Sequence, residues 1–188
     1  MAYIGKVPTA VPLSGADIED GTIGLADLSA TGTKDATTFL RGDNTFAEAG
    51  GGGKLLQVVT ATTTTSTTTN STSFVTGNLS VNITPSATSS KILVCTGGSM
   101  DNEGSGVQMG ATIYRDSTNL GHSTGGLFSG YGSGRVRLNT SMITLDSPST
   151  TSAINYKYYF KVSGGGTGYF NLNSQISSIT AMEIAVWL

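Results

Sequence analysis

This chain is poor in the side chains that most often do chemistry. Its 188 residues include one cysteine, Cys95, and one histidine, His122. A single thiol excludes an intramolecular disulfide and a cysteine-built zinc site. Its place in the apolar run KILVC reads as a small hydrophobe packed in a core. A single histidine, in the loop sequence NLGHSTGG, leaves no second imidazole for a metal site or a relay, and a solvated loop side chain is the simpler reading. Charge is also scarce, at 12% Asp, Glu, Lys and Arg with a net charge of -2. That balance offers no electrostatic footprint for nucleic acid and no basic face for anionic lipid. No apolar run reaches the length a membrane helix needs, so membrane insertion is not expected. The start, MAYIGKVPTAV, lacks the basic segment and apolar block of a signal peptide.

Glycine, threonine and serine fill the space that charge leaves. Glycine alone supplies 26 residues, about twice its usual share. Hydroxylated β-branched residues and glycine favour extended backbone and turns over helix. The expectation is an all-β protein with a polar, uncharged exterior.

Four zones follow along the chain. Residues 1–13, MAYIGKVPTAVPL, place Pro8 and Pro12 among apolar residues, and proline biases its surroundings to extended backbone. This is read as an arm that lies on a partner. Residues 14–49 carry Ile18, Ile23, Leu25 and Leu28, too few apolar residues to close a core in one chain; three copies wound together would bury them. Residues 50–53 are four glycines, a flexible joint. From residue 54 to 188 the segments LLQVVT, FVTGNLSVNI, KILVC, VQMGATIYRD, RVRLNTSMITL, INYKYYFKV, GYFNL and ITAMEIAVWL read as strands separated by turn-rich clusters. About eight such strands in one unit imply a β-sandwich of the jelly-roll kind. The tract TATTTTSTTTNSTS, residues 60–73, has nothing to fill a core and is expected to be an edge strand or loop.

Catalytic signals are thin. Asp17, Glu19 and Asp20 cluster in the stem zone, where a solvated turn explains them better than paired acid–base work. The β region holds Asp101, Glu103, Asp116, Asp146 and Glu183. Of these, only Glu183 lies inside an apolar strand, where a paired or edge position is the simpler reading. Neither GGGG at 50–53 nor GGGTG at 164–168 is followed by the Lys and helix of a phosphate loop. DNEGSG, residues 101–106, lacks the spaced acids of a calcium loop. No catalytic residue, metal or cofactor is expected. The glycine-rich excursion HSTGGLFSGYGSG is more suggestive: His122, Phe128 and Tyr131 combine aromatic faces with small polar residues, a composition suited to a receptor or subunit contact.

FLRGDNTF, residues 39–46, contains the Arg-Gly-Asp tripeptide of adhesion motifs. Flanking Phe39, Leu40 and Phe46 call for burial, and Asp43-Asn44 suits a tight turn between extended pieces. The stretch is therefore read as structural punctuation, with Arg41 reaching a carboxylate, such as Asp43 of a neighbouring copy.

MAYIGKVPTAVPL, ADIEDGTIGLADLSATGT and TTFLRGDNTF together resemble the N-terminal leader of tailed-bacteriophage fibre proteins. LLQVVTAT, TGNLSVNITPSATSSKILV, ITLDSPSTTSAINYKYYFKV and ITAMEIAV resemble a module recurring in phage tail-fibre and virion proteins. The resemblance implies an elongated homotrimer made in the host cytoplasm and carried on the virion. Tyr3, Ile4, Val7, Pro8, Val11, Pro12 and Leu13 would dock on other virion proteins of the tail, baseplate or capsid. Ile18, Ile23, Leu25, Leu28, Phe39, Leu40 and Phe46 would pack the trimeric stem. The sandwich would face a host-surface glycan. Three functions are weighed: a short tail fibre, a capsid decoration or head fibre of the same fold, and a glycan depolymerase.

Overall fold

A computed structural model describes residues 24, 29–36, 38–48, 54–104 and 106–185. The docking arm Tyr3 to Leu13 and the stem residues Ile18, Ile23, Leu25 and Leu28 lie outside these residues. The chain divides into two compact units, Met1–Gly51 and Gly52–Leu188.

In the first unit, β1 (Thr38–Leu40) pairs antiparallel with β2 (Phe46–Glu48). The turn between them holds the Arg-Gly-Asp tripeptide. The Arg41 N–H donates to the Thr45 carbonyl at 2.8 Å and the Asn44 N–H donates to the Arg41 carbonyl at 3.0 Å. Asn44 adopts φ 62°, a left-handed conformation that asparagine tolerates. The Asp43 carboxylate accepts from the Thr45 hydroxyl at 2.6 Å and the Thr45 N–H at 3.2 Å. The first of these bonds does most to hold its pKa below the ordinary value. Asp43 is thus engaged within its own chain. Phe39 and Leu40 stay about half exposed in a single copy.

The second unit is a sandwich. Its strands are β3 (Leu55–Thr63), β4 (Thr67–Thr69), β5 (Val75–Ile83), β6 (Lys91–Glu103), β7 (Val107–Arg115), β8 (Thr118–Asn119), β9 (Phe128–Gly132), β10 (Val136–Asp146), β11 (Ile154–Val162), β12 (Thr167–Phe170) and β13 (Ser177–Ile184). In the first sheet β3 pairs with β13 and β13 with β6, while β10 lines the other side of β6. The far end of β6 takes β12, and β12 takes β4. In the second sheet the order is β5, β11, β7, with β8 and β9 both on the outer side of β7. The eight principal strands are therefore arranged β3-β13-β6-β10 over β5-β11-β7-β9. This alternation of the chain between two antiparallel sheets is the jelly roll.

Period-two patterning explains which face each strand buries. On β11, Ile154, Tyr156, Tyr158, Phe160 and Val162 point inward and are buried, while the alternate residues are half-buried. Tyr158 stacks on Phe170 with ring centroids 4.3 Å apart. Leu79, Val81 and Ile83 of β5, Ile92, Val94 and Met100 of β6, Val107, Met109, Ala111 and Ile113 of β7, and Met142 of β10 pack in the same core with Ile179 and Ala181 of β13. The threonine tract divides as its composition requires. Residues 60–63 continue β3 along the edge of the first sheet, with Thr60 and Thr180 hydroxyls 3.0 Å apart, and Thr67–Thr69 forms the edge strand β4.

Candidate functional site

Every strand acid named from sequence now has a place. Asp101 is buried under two guanidinium groups: Arg135 Nε lies 3.0 Å from Oδ1 and Arg137 Nε 2.8 Å from Oδ2. Arg135 also reaches Glu103 at 3.3 Å, and the Tyr169 hydroxyl donates to Glu103 at 2.8 Å. Asp146 receives Arg115 Nη1 on both oxygens, at 2.8 and 2.9 Å, and the Tyr156 hydroxyl at 2.7 Å. Burial is the main reason the Tyr156 phenol titrates far above its ordinary value, reinforced by that bond. Asp116, in the turn between β7 and β8, accepts the Asn155 N–H at 3.1 Å and donates its own N–H to the Asn155 carbonyl at 2.8 Å, which ties that turn to β11.

Glu183 is fully buried, and among the described residues no cation pairs with it. Its Oε1 accepts the Ser86 N–H at 2.7 Å, the Ser86 hydroxyl at 2.6 Å and the Ser90 hydroxyl at 2.7 Å. Its Oε2 accepts Gln57 Nε2 at 2.6 Å. Burial opposes the charge, yet the donors from Ser86, Gln57 and Ser90 outweigh it and bring the pKa down to about 2. The carboxylate ties β3, β13 and the segment 84–90 together. Among the described residues no three His, Cys, Asp or Glu side chains gather as a metal site.

The contact residues expected in HSTGGLFSGYGSG are separated by the fold. The segment 120–127 lies back along β7: the Leu120 N–H donates to the Ile113 carbonyl at 2.9 Å and the Leu127 N–H to the Ala111 carbonyl at 2.8 Å. His122 exchanges backbone hydrogen bonds with Gly126, and its Nδ1 accepts the N–H of Thr124 at 3.2 Å and of Gly125 at 3.3 Å. The imidazole thereby braces its own loop. Gly126 adopts φ 75° with the Ala111 carbonyl directly beneath, where a Cβ has no room. On β9, Phe128 packs against the core and Tyr131, three residues on, lies on the opposite face at 70% exposure.

A pocket of about 210 Å³ opens beside this loop, lined by Thr72, Gln108, Thr124, Ser129, Lys161 and Ser163 among others. Gln108 holds two walls together, donating Nε2 to the Ser129 hydroxyl at 2.6 Å and its N–H to the Ser163 hydroxyl at 2.8 Å. Lys161 Nζ stands 4.7 Å above the Phe74 ring, and Tyr114 stacks on Tyr159 at 4.1 Å. The pocket is smaller than the ~300–1,000 Å³ of small-molecule sites. Hydroxyls, an amide and an ammonium line it. Gln108, Lys161 and Ser163 carry no sequence signal of this role. Gln108 and Lys161 read as outward positions on strands, and only the pairing of β7 with β9 and β11 brings them to one opening.

No family model matches the chain, and no curated protein does. Solved structures of infectious bursal disease virus are similar in fold outline. The Gx strain structure matches at 16% identity and TM-score 0.34 over 74% of this chain and 40% of that one. The VP2 subviral particle matches at 14% and 0.33 over 76% and 40%, and the Gt strain structure at 15% and 0.33 over 87% and 46%. The chain spans less than half the length of the chains it matches. Likeness at these TM-scores carries no argument about function, and the jelly roll stands on the strand order itself.

Proposed function

We propose that this chain is a structural virion protein, a short tail fibre of three copies that docks by residues 1–13 and presents the jelly roll to a host-surface glycan. One observation supports this most. The segments resembling the phage fibre module, LLQVVTAT, TGNLSVNITPSATSSKILV, ITLDSPSTTSAINYKYYFKV and ITAMEIAV, fall on β3, β5, β6, β10, β11 and β13. These are six of the eight principal strands. The excursion 116–135, with His122, Tyr131 and one wall of the hydroxyl-lined pocket, lies outside the resembling segments, as expected of a contact loop mounted on a fixed scaffold. Attachment rather than catalysis is the reading the acids favour, since Asp101, Asp146 and Glu183 are each engaged by structural partners. A weak site of this size works by repetition, three copies per fibre raising the effective concentration.

Competition for adsorption tests the proposal. Purified protein added to host cells is expected to slow particle adsorption, and Gln108→Ala or Tyr131→Ala to weaken that competition while leaving the fold intact. Failure to compete at saturating protein would overturn the attachment role. Release of reducing ends from host polysaccharide would instead establish a depolymerase.

A further inference from the structure

The outer face of the first sheet carries an apolar patch that the core does not use. Strand register arranges it in rows. Val58, Met182, Leu93 and Leu145 lie side by side across β3, β13, β6 and β10, and Thr60, Thr180, Cys95 and Ile143 form the next row. Ile184 stands in the row before, opposite Leu55, where a bulge in the β3–β13 pairing leaves both Leu55 and Leu56 outside. Leu55, Leu56, Val58, Ile143 and Leu145 are 39–65% exposed. Surface hydrophobes scattered singly need no explanation, but contiguous ones mark a contact.

We infer that this face is the surface on which a second copy of the chain packs. Its size fits such a contact. Two full rows at ~6.7 Å across four strands at ~4.8 Å, with the Leu55 and Ile184 positions added on two strands, make a face of roughly 300 Å². That is more than a third of the ~800 Å² each partner gives a standard interface, in keeping with an apolar centre inside a polar rim. The rim is present as Thr62, Ser178, Gly97 and Ser141, the next row along the same strands. Charge fits too. The two central rows contain no ionisable group but the Cys95 thiol, and Lys91, at the border, is turned to the Ser147 hydroxyl at 2.7 Å. Copies of this face gathered round a three-fold axis therefore meet without like-charge repulsion. The border strand β10 points the same way. It is eleven residues long, lacks proline, and among the described residues pairs only with β6. A long edge so little guarded is a liability unless a partner covers it.

This inference rests on the oligomeric reading above, and it names where the sandwiches touch. Native mass measurement of the full chain, wild type and Val58→Lys/Ile143→Lys, tests it. Both positions are exposed, so the fold is expected to tolerate lysine, and an unchanged β signal in circular dichroism confirms that. Ser80→Lys, on the outer face of the second sheet, is the control. Across a dilution series the wild type and the control are expected as multiples of the 19.2 kDa chain, and the double variant, held by the stem alone, is expected to fall to monomer at a concentration at least about ten-fold higher. A wild type that is monomeric throughout overturns the inference. So does a double variant that dissociates at the wild-type concentration, an outcome that leaves virion location untouched. If the double variant loses its β signal, Leu145→Lys alone is measured against the same two outcomes.

Discussion

Replacing Glu183 with glutamine removes one charge and almost no volume, and the structure sets the cost. The amide oxygen placed at Oε1 keeps the three donors from Ser86 and Ser90, now without charge assistance. The amide nitrogen then confronts Gln57 Nε2, donor against donor. Gln57 cannot turn over without loss, because the same nitrogen donates to the Thr84 carbonyl at 2.7 Å. Weakening three charge-assisted bonds and leaving one buried donor unmet costs about 3 kcal/mol. The pKa gives a similar figure: a fall from 4.5 to about 2 corresponds to about 3 kcal/mol. The melting temperature is expected to drop by about 10 °C. Urea unfolding followed by circular dichroism measures the gap between wild type and variant. The folded pKa is depressed, so the contribution is complete above pH 4.5 and disappears as pH falls through about 2. The gap should therefore hold from neutral pH to about pH 5.5 and shrink by more than half near pH 3. A gap under about 0.5 kcal/mol at neutral pH, or one that does not narrow in acid, would refute the reasoning.

Other expectations are simpler. Gly98→Ala brings a Cβ to 2.7 Å from Phe170 Cε2 and against the Ser177 side chain, so the urea midpoint should fall by the equivalent of about 1–3 kcal/mol. Tyr156→Phe deletes the hydroxyl that donates to Asp146, at a cost of about 1 kcal/mol in the same assay with an unchanged urea slope. Deleting residues 1–13 is expected to abolish incorporation into particles, read by immunoblot of purified virions, while the β signal of the purified protein stays intact.

The sandwich was legible because its strands alternate. INYKYYFKV announces its two faces, and all eight segments read as strands became strands. What escaped has a physical cause. β6 runs on from KILVC through GGSMDNE to thirteen residues, since Gly98 is a packing need there and not a break. Gly98 makes room for Phe170 and Ser177, which lie far along the chain. β9 is glycine-rich and gains its place from β7, not from its own propensity. Glu183 illustrates the limit at the level of chemistry. An acid in an apolar strand signals a partner, but the partners, Gln57, Ser86 and Ser90, are 93 to 126 residues away. The candidate pocket was hidden in the same way, assembled from residues on separate strands. His122, Phe128 and Tyr131 sat close enough in sequence to be grouped, and the alternation of β9 then set Phe128 and Tyr131 on opposite faces.

The account stands or falls on where the protein resides. Purified particles labelled with an antibody against the jelly roll and viewed by electron microscopy give the direct answer. Label on the tail, at several sites per particle, is the predicted result. Label spread over the capsid lattice, or absent from particles altogether, would contradict it.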